Sequence, residues 1–367
     1  MSYIQHFDAI VIGTGQAGPS LASRCANEGL KTAVIEKNKF GGTCVNTGCT
    51  PTKAMVASAR AAYMARRGND FGVEINGDIR VNLKKVKARK DKLVQNSTQG
   101  VENWLRETEN LTVIEGHARF TDNHTIQVGE KTLTGEKIFI NTGAKPFVPP
   151  ALQHVDYMTN ADILELEKVP EHLIIVGGSY IGLEFGQMFR RFGSEVTIIE
   201  QGDEIIGRED PDTSETLRNI LEEEGITFRL LSECISATQK GSQITVNLKC
   251  SRGTPTITGT HLLVATGRRP NTDDLGLEHT DIKLNDRRYI ATDDTLKTSV
   301  NSVWALGDVN GKGAFTHTAY NDFEIVAANL FANDPRRVSD RILNYALYSD
   351  PSLSHIGMYE EEARKSG

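Results

Sequence analysis

Two segments of this chain are built to one plan, and that duplication limits the fold more than any other feature. The first passes from an apolar strand, Phe7 to Ile12, into Gly13-Thr14-Gly15-Gln16-Ala17-Gly18. A helix to about Asn27 follows, then a strand, Thr32 to Ile35, that ends at Glu36. The second passes from Leu173–Val176 into Gly177-Gly178-Ser179-Tyr180-Ile181-Gly182, then a helix containing Gly186, then a strand, Val196 to Ile199, that ends at Glu200. In both segments the acid follows the first glycine by 23 residues. Equal spacing marks a repeated supersecondary unit. Strands this apolar are buried on both faces, as in parallel sheets covered by helices. The fold class is therefore α/β, with two Rossmann-like domains.

Each glycine turn has a chemical reading. Gly13, Gly15 and Gly18 permit a tight turn and bring backbone amides up to a pyrophosphate at a helix N-terminus. Gly177 and Gly182 do the same in the second unit, where Ser179 replaces the middle glycine and crowds the site slightly. Glu36 and Glu200 stand where a carboxylate accepts hydrogen bonds from a ribose. The bland alternative is a glycine turn in an α/β protein without a ligand. The strand–turn–helix–strand–acid context favours two dinucleotide sites. A carboxylate at Glu200 suits a free 2′-hydroxyl and repels a 2′-phosphate, and no basic residue follows until Arg208. This predicts NADH over NADPH as the second cofactor.

The stretch Gly41 to Lys53, GGTCVNTGCTPTK, places Cys44 and Cys49 with four residues between them. Thr50 suits an N-cap and Pro51 a first helical position, and the Ala-rich run Lys53 to Arg67 reads as a helix closed by Gly68. Cys49 then stands just outside a helix N-terminus, where partial positive charge favours a thiolate. Gly41, Gly42 and Gly48 leave room for close approach. From these residues alone the pair fits a redox couple, a structural disulfide or half of a zinc site. Cys25, Cys234 and Cys250 are isolated in spacing and offer no obvious second half.

The chain is too long for one ordinary domain at 367 residues, and 38% hydrophobic with 24% charged residues suits a globular protein. A net charge of −7 speaks against nucleic acid as a partner, and no apolar run has membrane-span length. The start enters a strand directly, without a signal-like segment, and five cysteines make no secreted scaffold. Both point to the cytoplasm.

Between the two units lies a helical stretch, Asn82 to Glu107, that reads as an amphipathic cover, with the basic run Lys84 to Lys92 as its solvated face. The segments LTVIEGHARF, HTIQV and KTLTGEKIFIN read as a small antiparallel layer ending at Asn141-Thr142-Gly143. Thr266-Gly267 closes the second half with a similar Thr-Gly turn. A buried strand then ends at Gly307-Asp308, the sheet edge where α/β ligands bind, and a helix Thr318 to Phe331 begins beside Thr316 and His317.

Taken together, these motifs resemble the flavin-dependent pyridine-nucleotide disulfide reductases, the family of dihydrolipoamide dehydrogenase, glutathione reductase and mercuric reductase. The wording VIGTGQAGPSLA with GGTCVNTGCTPTK is most similar to mercuric-reductase-like bacterial members. The resemblance implies FAD on Gly13, Gly15, Gly18 and Glu36, with Asp308 at its ribityl and phosphate region. It implies further cofactor contacts at Gly42, Thr43, Thr142, Gly143, Gly307, Thr316 and His317. NADH falls to Gly177, Gly182, Glu200 and Gly267. Cys49 becomes the thiol nearest the flavin and Cys44 the outer thiol that exchanges with substrate. Lys53 sits by the flavin's reactive nitrogen, paired with Glu184, and Tyr180 lids the nicotinamide pocket.

The domains expected on this basis are 1–150 and 280–345 for FAD, 151–279 for the nicotinamide nucleotide, and 346–367 as the start of an interface domain. Family members extend that last domain, which makes a homodimer and supplies a His-Glu pair. Here that domain is only begun, so a monomer or weak dimer is expected, and neither a His-Pro segment for the general acid nor a vicinal cysteine pair for mercury is read in the sequence. The expected activity is electron transfer from NAD(P)H through FAD and a Cys44–Cys49 disulfide to a small disulfide or metal-ion acceptor. A diaphorase that reduces quinones directly, or a flavin-binding redox sensor, is the competing reading. No metal ligand set is assigned.

Overall fold

The structure, a computed structural model, describes residues 4–250 and 253–367. The chain divides into two compact units. One holds the N-terminal segment to Cys49, Val94–Lys145 and Arg268–Arg341; the other holds Thr50–Leu93, Pro146–Gly267 and the chain from Ile342. No helix among the described residues is long and apolar enough to cross a membrane.

The first unit is built on a sheet ordered Leu111–Glu115, Thr32–Glu36, Ile4–Ile12, Lys131–Ile140, Thr125–Val128, Ala118–Asp122. The first four of these run parallel, and Val303–Ala305 adds a further parallel strand against the end of Lys131–Ile140. Ala9, Val11, Ile10 and Ile12 alternate between two apolar layers, one on each face of the sheet. That explains why this strand carries no polar face. The helix Gly18–Asn27 covers one layer with Leu21, Ala22 and Cys25.

The sequence predicts Leu111–Glu115 as part of an antiparallel layer, and the structure corrects this. Only Ala118–Asp122, Thr125–Val128 and Lys131–Ile140 pair antiparallel. Leu111–Glu115 instead extends the parallel sheet beside Thr32–Glu36. Gly116, at a φ of +145°, turns the chain out of that strand, and its amide donates to Glu36 O.

The second unit repeats the plan with a parallel sheet ordered Ile226–Arg229, Glu195–Ile199, His172–Val176, His261–Val264, Tyr157–Met158. An antiparallel layer of Ser232–Lys240, Gln243–Cys250 and Thr256–Gly259 accompanies it. The helix Tyr180–Phe192 packs on the sheet through Leu183, Phe185, Met188, Phe189 and Phe192. A Cβ at Gly186 would lie 2.8 Å from Ile198 Cδ1, so the glycine sets the helix–sheet distance. A hairpin, Asn344–Leu347 with Leu353–Ile356, ends with the helix Glu360–Ser366.

Two further corrections concern helices. The cover helix spans Leu83–Glu107, with Asn82 Oδ1 accepting the Lys85 amide at its start. Its basic run is not simply a solvated face. The Lys90 side chain is 3% exposed and pairs with Asp91 and with Glu165 at 2.8 Å. The helix expected at Thr318–Phe331 runs from Thr316 to Ala327 and passes into a wider turn at Ala328–Ala332.

Candidate active site

The two glycine turns close with the same set of hydrogen bonds. In the first unit, Gly13 N donates to Ile35 O at 2.8 Å and Asn141 N to Ile12 O at 2.8 Å. In the second, Gly177 N donates to Ile199 O at 2.9 Å and Ala265 N to Val176 O at 2.8 Å. Gly13 and Gly177 have φ of +102° and +116°. A Cβ on either would lie 2.4 Å from a backbone oxygen, that of Asn141 or of Ala265. At Gly18 and Gly182 a Cβ would meet Gly13 O at 2.1 Å and Gly177 O at 2.0 Å. These positions are glycine because the strand end, turn and helix start touch backbone to backbone.

The acids repeat as well. Glu36 Oε2 accepts Thr14 N at 2.9 Å and Oε1 accepts Asn38 N at 2.9 Å. Glu200 Oε2 accepts Gly178 N at 2.7 Å and Oε1 accepts Gly202 N at 2.9 Å. Each carboxylate therefore clamps its own turn. Glu36 Oε2 also accepts Thr14 Oγ1 at 2.5 Å, whereas Glu36 Oε1 and both oxygens of Glu200 each accept one of these amides and have a further lone pair that a ribose hydroxyl can use. Neither helix, Gly18–Asn27 or Tyr180–Phe192, starts with a side-chain cap, so first-turn amides stay available for an anion. Tyr180, half-buried, is the first residue of the second helix.

The cysteine loop packs on the first glycine turn. A Cβ at Gly42, whose φ is +60°, would lie 2.7 Å from Gly15 Cα, and Gly41 N donates to Thr14 Oγ1 at 3.2 Å. Gly42–Asn46 forms one short helix that carries the exposed Thr43 and half-buried Cys44. Asn46 ties it down: its Nδ2 donates to Phe40 O and Gly42 O, both at 2.9 Å, and its Oδ1 accepts Thr98 Oγ1 at 3.0 Å. A Cβ at Gly48 would be 2.9 Å from Thr43 O and 3.3 Å from Cys44 Cα. The bare glycine thus lets the chain entering Cys49 fold back onto Cys44.

Cys49 is the first residue of a helix, Cys49–Arg66, rather than a residue outside it. Thr50 and Pro51 lie inside the first turn. Proline is tolerated there because first-turn amides have no partner within the helix. The correction strengthens the electrostatic point, since Cys49 sits at the positive end of a long helix dipole.

Lys53 lies one turn further along. Its Nζ donates to both oxygens of Glu184, at 2.9 and 2.8 Å. Glu184 is 8% exposed. The same carboxylate accepts Tyr348 N at 3.0 Å, and the Tyr348 ring centroid lies 4.2 Å from Lys53 Nζ. Tyr348 escapes a reading of motifs because it reaches Glu184 across 164 residues of chain.

Asp308 follows Gly307, whose φ is +71°, in a short turn Gly307–Asn310 after the buried strand. Burial raises its carboxyl above the ordinary range, and the Arg268 guanidinium draws it partly back. Arg268 Nε stands 3.6 Å from Asp308 Oδ2 and is buried without a hydrogen-bond partner among the described residues. Behind the turn, Asp322 Oδ2 accepts Gly307 N and Asn310 Nδ2, both at 2.8 Å, while Arg341 pairs with its other oxygen. Asp322 is a support that no local pattern announces. Thr316 and His317 occupy the first turn of the next helix, with the His317 ring stacked on Phe315 at 5.5 Å.

The two Thr-Gly turns are also matched. Thr142 Oγ1 donates to Asn271 O at 3.1 Å, and Asn271 N to Gly143 O at 2.9 Å. Thr266 Oγ1 donates to Phe147 O at 2.9 Å, and Phe147 N to Gly267 O at 2.9 Å. Each glycine has positive φ, +68° and +131°.

Two nucleotide-type glycine turns, a cysteine loop seated on the first, and a lysine–glutamate pair one turn past the second cysteine define a class. Residues 7–322 match the family model for pyridine nucleotide-disulphide oxidoreductases, and the chain belongs to that family. Among its relatives is the probable pyridine nucleotide-disulfide oxidoreductase RclA of Escherichia coli strain K12, 35% identical over 371 residues. The match covers 98% of this chain and 79% of that protein. The mercuric reductase of Staphylococcus aureus is 32% identical over 363 residues, covering 98% of this chain and 66% of the relative. This chain thus spans just under two thirds of that mercuric reductase. A solved structure, the Cu(II) complex of the HOCl-induced flavoprotein disulfide reductase RclA from Escherichia coli, superposes with a TM-score of 0.89. It is 34% identical, and the match covers 99% of this chain and 80% of that one.

Proposed function

We propose that this chain is an FAD-dependent oxidoreductase that passes electrons from NADH to the Cys44–Cys49 pair and on to a small disulfide or metal-ion acceptor. The observation that carries the reading is the cysteine loop docked on the Gly13–Gly18 turn, with Lys53 gripped by Glu184 one turn after Cys49. The first unit suits FAD. Its glycine turn opens an uncapped helix, Glu36 Oε1 retains acceptor capacity, and Arg268 Nε is buried without a hydrogen-bond partner among the described residues. Gly13, Gly15, Gly18, Glu36, Gly42, Thr43, Thr142, Gly143, Gly307, Asp308, Thr316 and His317 would hold it. Bound there, FAD supplies a two-electron carrier between nicotinamide and disulfide.

The chain's own groups have distinct tasks. Gly177, Gly182, Glu200 and Gly267 hold the nicotinamide nucleotide, and the Glu200 charge disfavours a 2′-phosphate, which supports NADH. Tyr180, at the head of its helix, lids that site. Lys53 provides a fixed positive charge, and Glu184 holds it in one rotamer. The helix start at Cys49 favours the thiolate, and Cys44 exchanges with the acceptor. The copper(II) bound by RclA makes copper(II) a natural first metal ion to offer. The cytoplasm is the compartment proposed.

The test is a Cys44→Ser variant. Loss of disulfide reduction with retained NADH–quinone activity fits the proposal. Unchanged disulfide reduction in the variant would refute it, and a wild type that reduces quinones but no disulfide would be a diaphorase.

A further inference from the structure

Resting on that function, we propose that Tyr348 is a positioning residue for Lys53, its ring fixing the ammonium that Glu184 grips. The mount for this ring is stiff. The segment Tyr348–Asp350 lies along one face of the helix Tyr180–Phe192, bonded at Glu184, Gln187 and Arg191. Tyr348 N donates to Glu184 Oε1 at 3.0 Å. Asp350 N donates to Gln187 Oε1 at 2.9 Å, and Gln187 Nε2 donates back to Asp350 O at 2.9 Å. Arg191 Nη1 reaches Asp350 Oδ2 at 2.8 Å. Leu347, immediately before, is 1% exposed in the same apolar cluster as Met55, two residues from Lys53. Ser349, immediately after, is 3% exposed.

Tyr348 as a residue is 47% exposed, yet its ring centroid lies 4.2 Å from Lys53 Nζ, well inside cation–π range. An ammonium has three N–H donors, and Glu184 takes two. The aromatic face offers the remaining charge an electron-rich surface in place of water. A lysine stem is flexible, so a second contact that restricts it matters where the position of the charge does. Tyr348 therefore acts on both partners: its amide orients the carboxylate and its ring orients the ammonium. The ring, not the hydroxyl, is the working part.

Tyr348→Phe and Tyr348→Leu separate these claims, and both side chains fit a half-exposed position. Lys53 reactivity toward an acylating reagent is measured on the apoprotein by peptide mass spectrometry, with other lysines as internal reference. The FAD-loaded proteins give the flavin midpoint potential. Tyr348→Leu should raise Lys53 acylation about two- to fivefold and shift the potential, while Tyr348→Phe matches wild type on both. Wild-type Lys53 reactivity in Tyr348→Leu, or Tyr348→Phe behaving like Tyr348→Leu, would overturn the assignment. Failure of the wild type to take up FAD would defeat the proposed function, and Lys53 acylation would still decide the role of Tyr348.

Discussion

Removing the charge on Glu184 tests the lysine clamp at its base. Glu184→Gln keeps the shape but replaces one acceptor oxygen with an NH2 donor. That donor faces Lys53 Nζ, now 2.8–2.9 Å away, in either orientation, and at the Oε1 position it also faces the Tyr348 amide at 3.0 Å. A charge-assisted hydrogen bond contributes about 1.5–3 kcal/mol when buried. The Glu184 side chain is 9% exposed but that of Lys53 is 32%, so water recovers part of the loss. The expected destabilisation is about 2 kcal/mol for Glu184→Gln. Lys53→Met retains the aliphatic stem and leaves a carboxylate with one backbone donor, for about 1–2 kcal/mol. The double variant should recover about 1 kcal/mol relative to the sum, since each single change strands the other group. Urea unfolding at unchanged slope gives all three values. Additivity within about 0.3 kcal/mol would show that the pair does not interact, and the clamp would be refuted.

Two other predictions use the repeat and the titration chemistry. Gly18→Ala should abolish FAD uptake, and Gly182→Ala should leave FAD bound while NADH affinity falls at least about tenfold, because each new Cβ strikes the carbonyl of the turn's first glycine; flavin absorbance per protein and NADH titration distinguish them. Burial raises the Glu209 carboxyl, with His355, 3.4 Å away, only partly offsetting it, and Glu209 Oε1 has no hydrogen-bond partner among the described residues. A raised acid favours folding while protonated, so its contribution is full below the ordinary carboxylate pKa and fades as pH climbs through the raised value. As pH climbs from about 4, near the ordinary glutamate pKa, Glu209→Gln should flatten the fall in thermal midpoint that wild type shows, and an identical profile would refute this.

Local spacing carried most of the fold. The glycine turns and the acids 23 residues on were legible because strand, turn and helix are fixed within one βαβ unit. The pairing of Leu111–Glu115 was not, since a short strand's sequence does not say which neighbour it meets. Lys90 reads as solvated because Glu165, which pairs with it when buried, lies 75 residues away. The start of the cysteine helix was misplaced by a capping rule that gives Thr50 priority, whereas the fold of Gly48 onto Cys44 begins the helix at Cys49. In the candidate site, the motif residues were visible one by one. Their supports were not: Tyr348, Asp322 and Arg341 act through long-range contacts between segments without a shared pattern.

The most direct test of the account is an anaerobic NADH titration of the FAD-loaded protein followed by visible absorbance. A long-wavelength charge-transfer band after one equivalent, absent in a Cys49→Ser variant, is the predicted result and places NADH, FAD and the cysteine pair in series. Bleaching of the flavin without that band would contradict it, because the cysteines would then lie outside the path of the electrons.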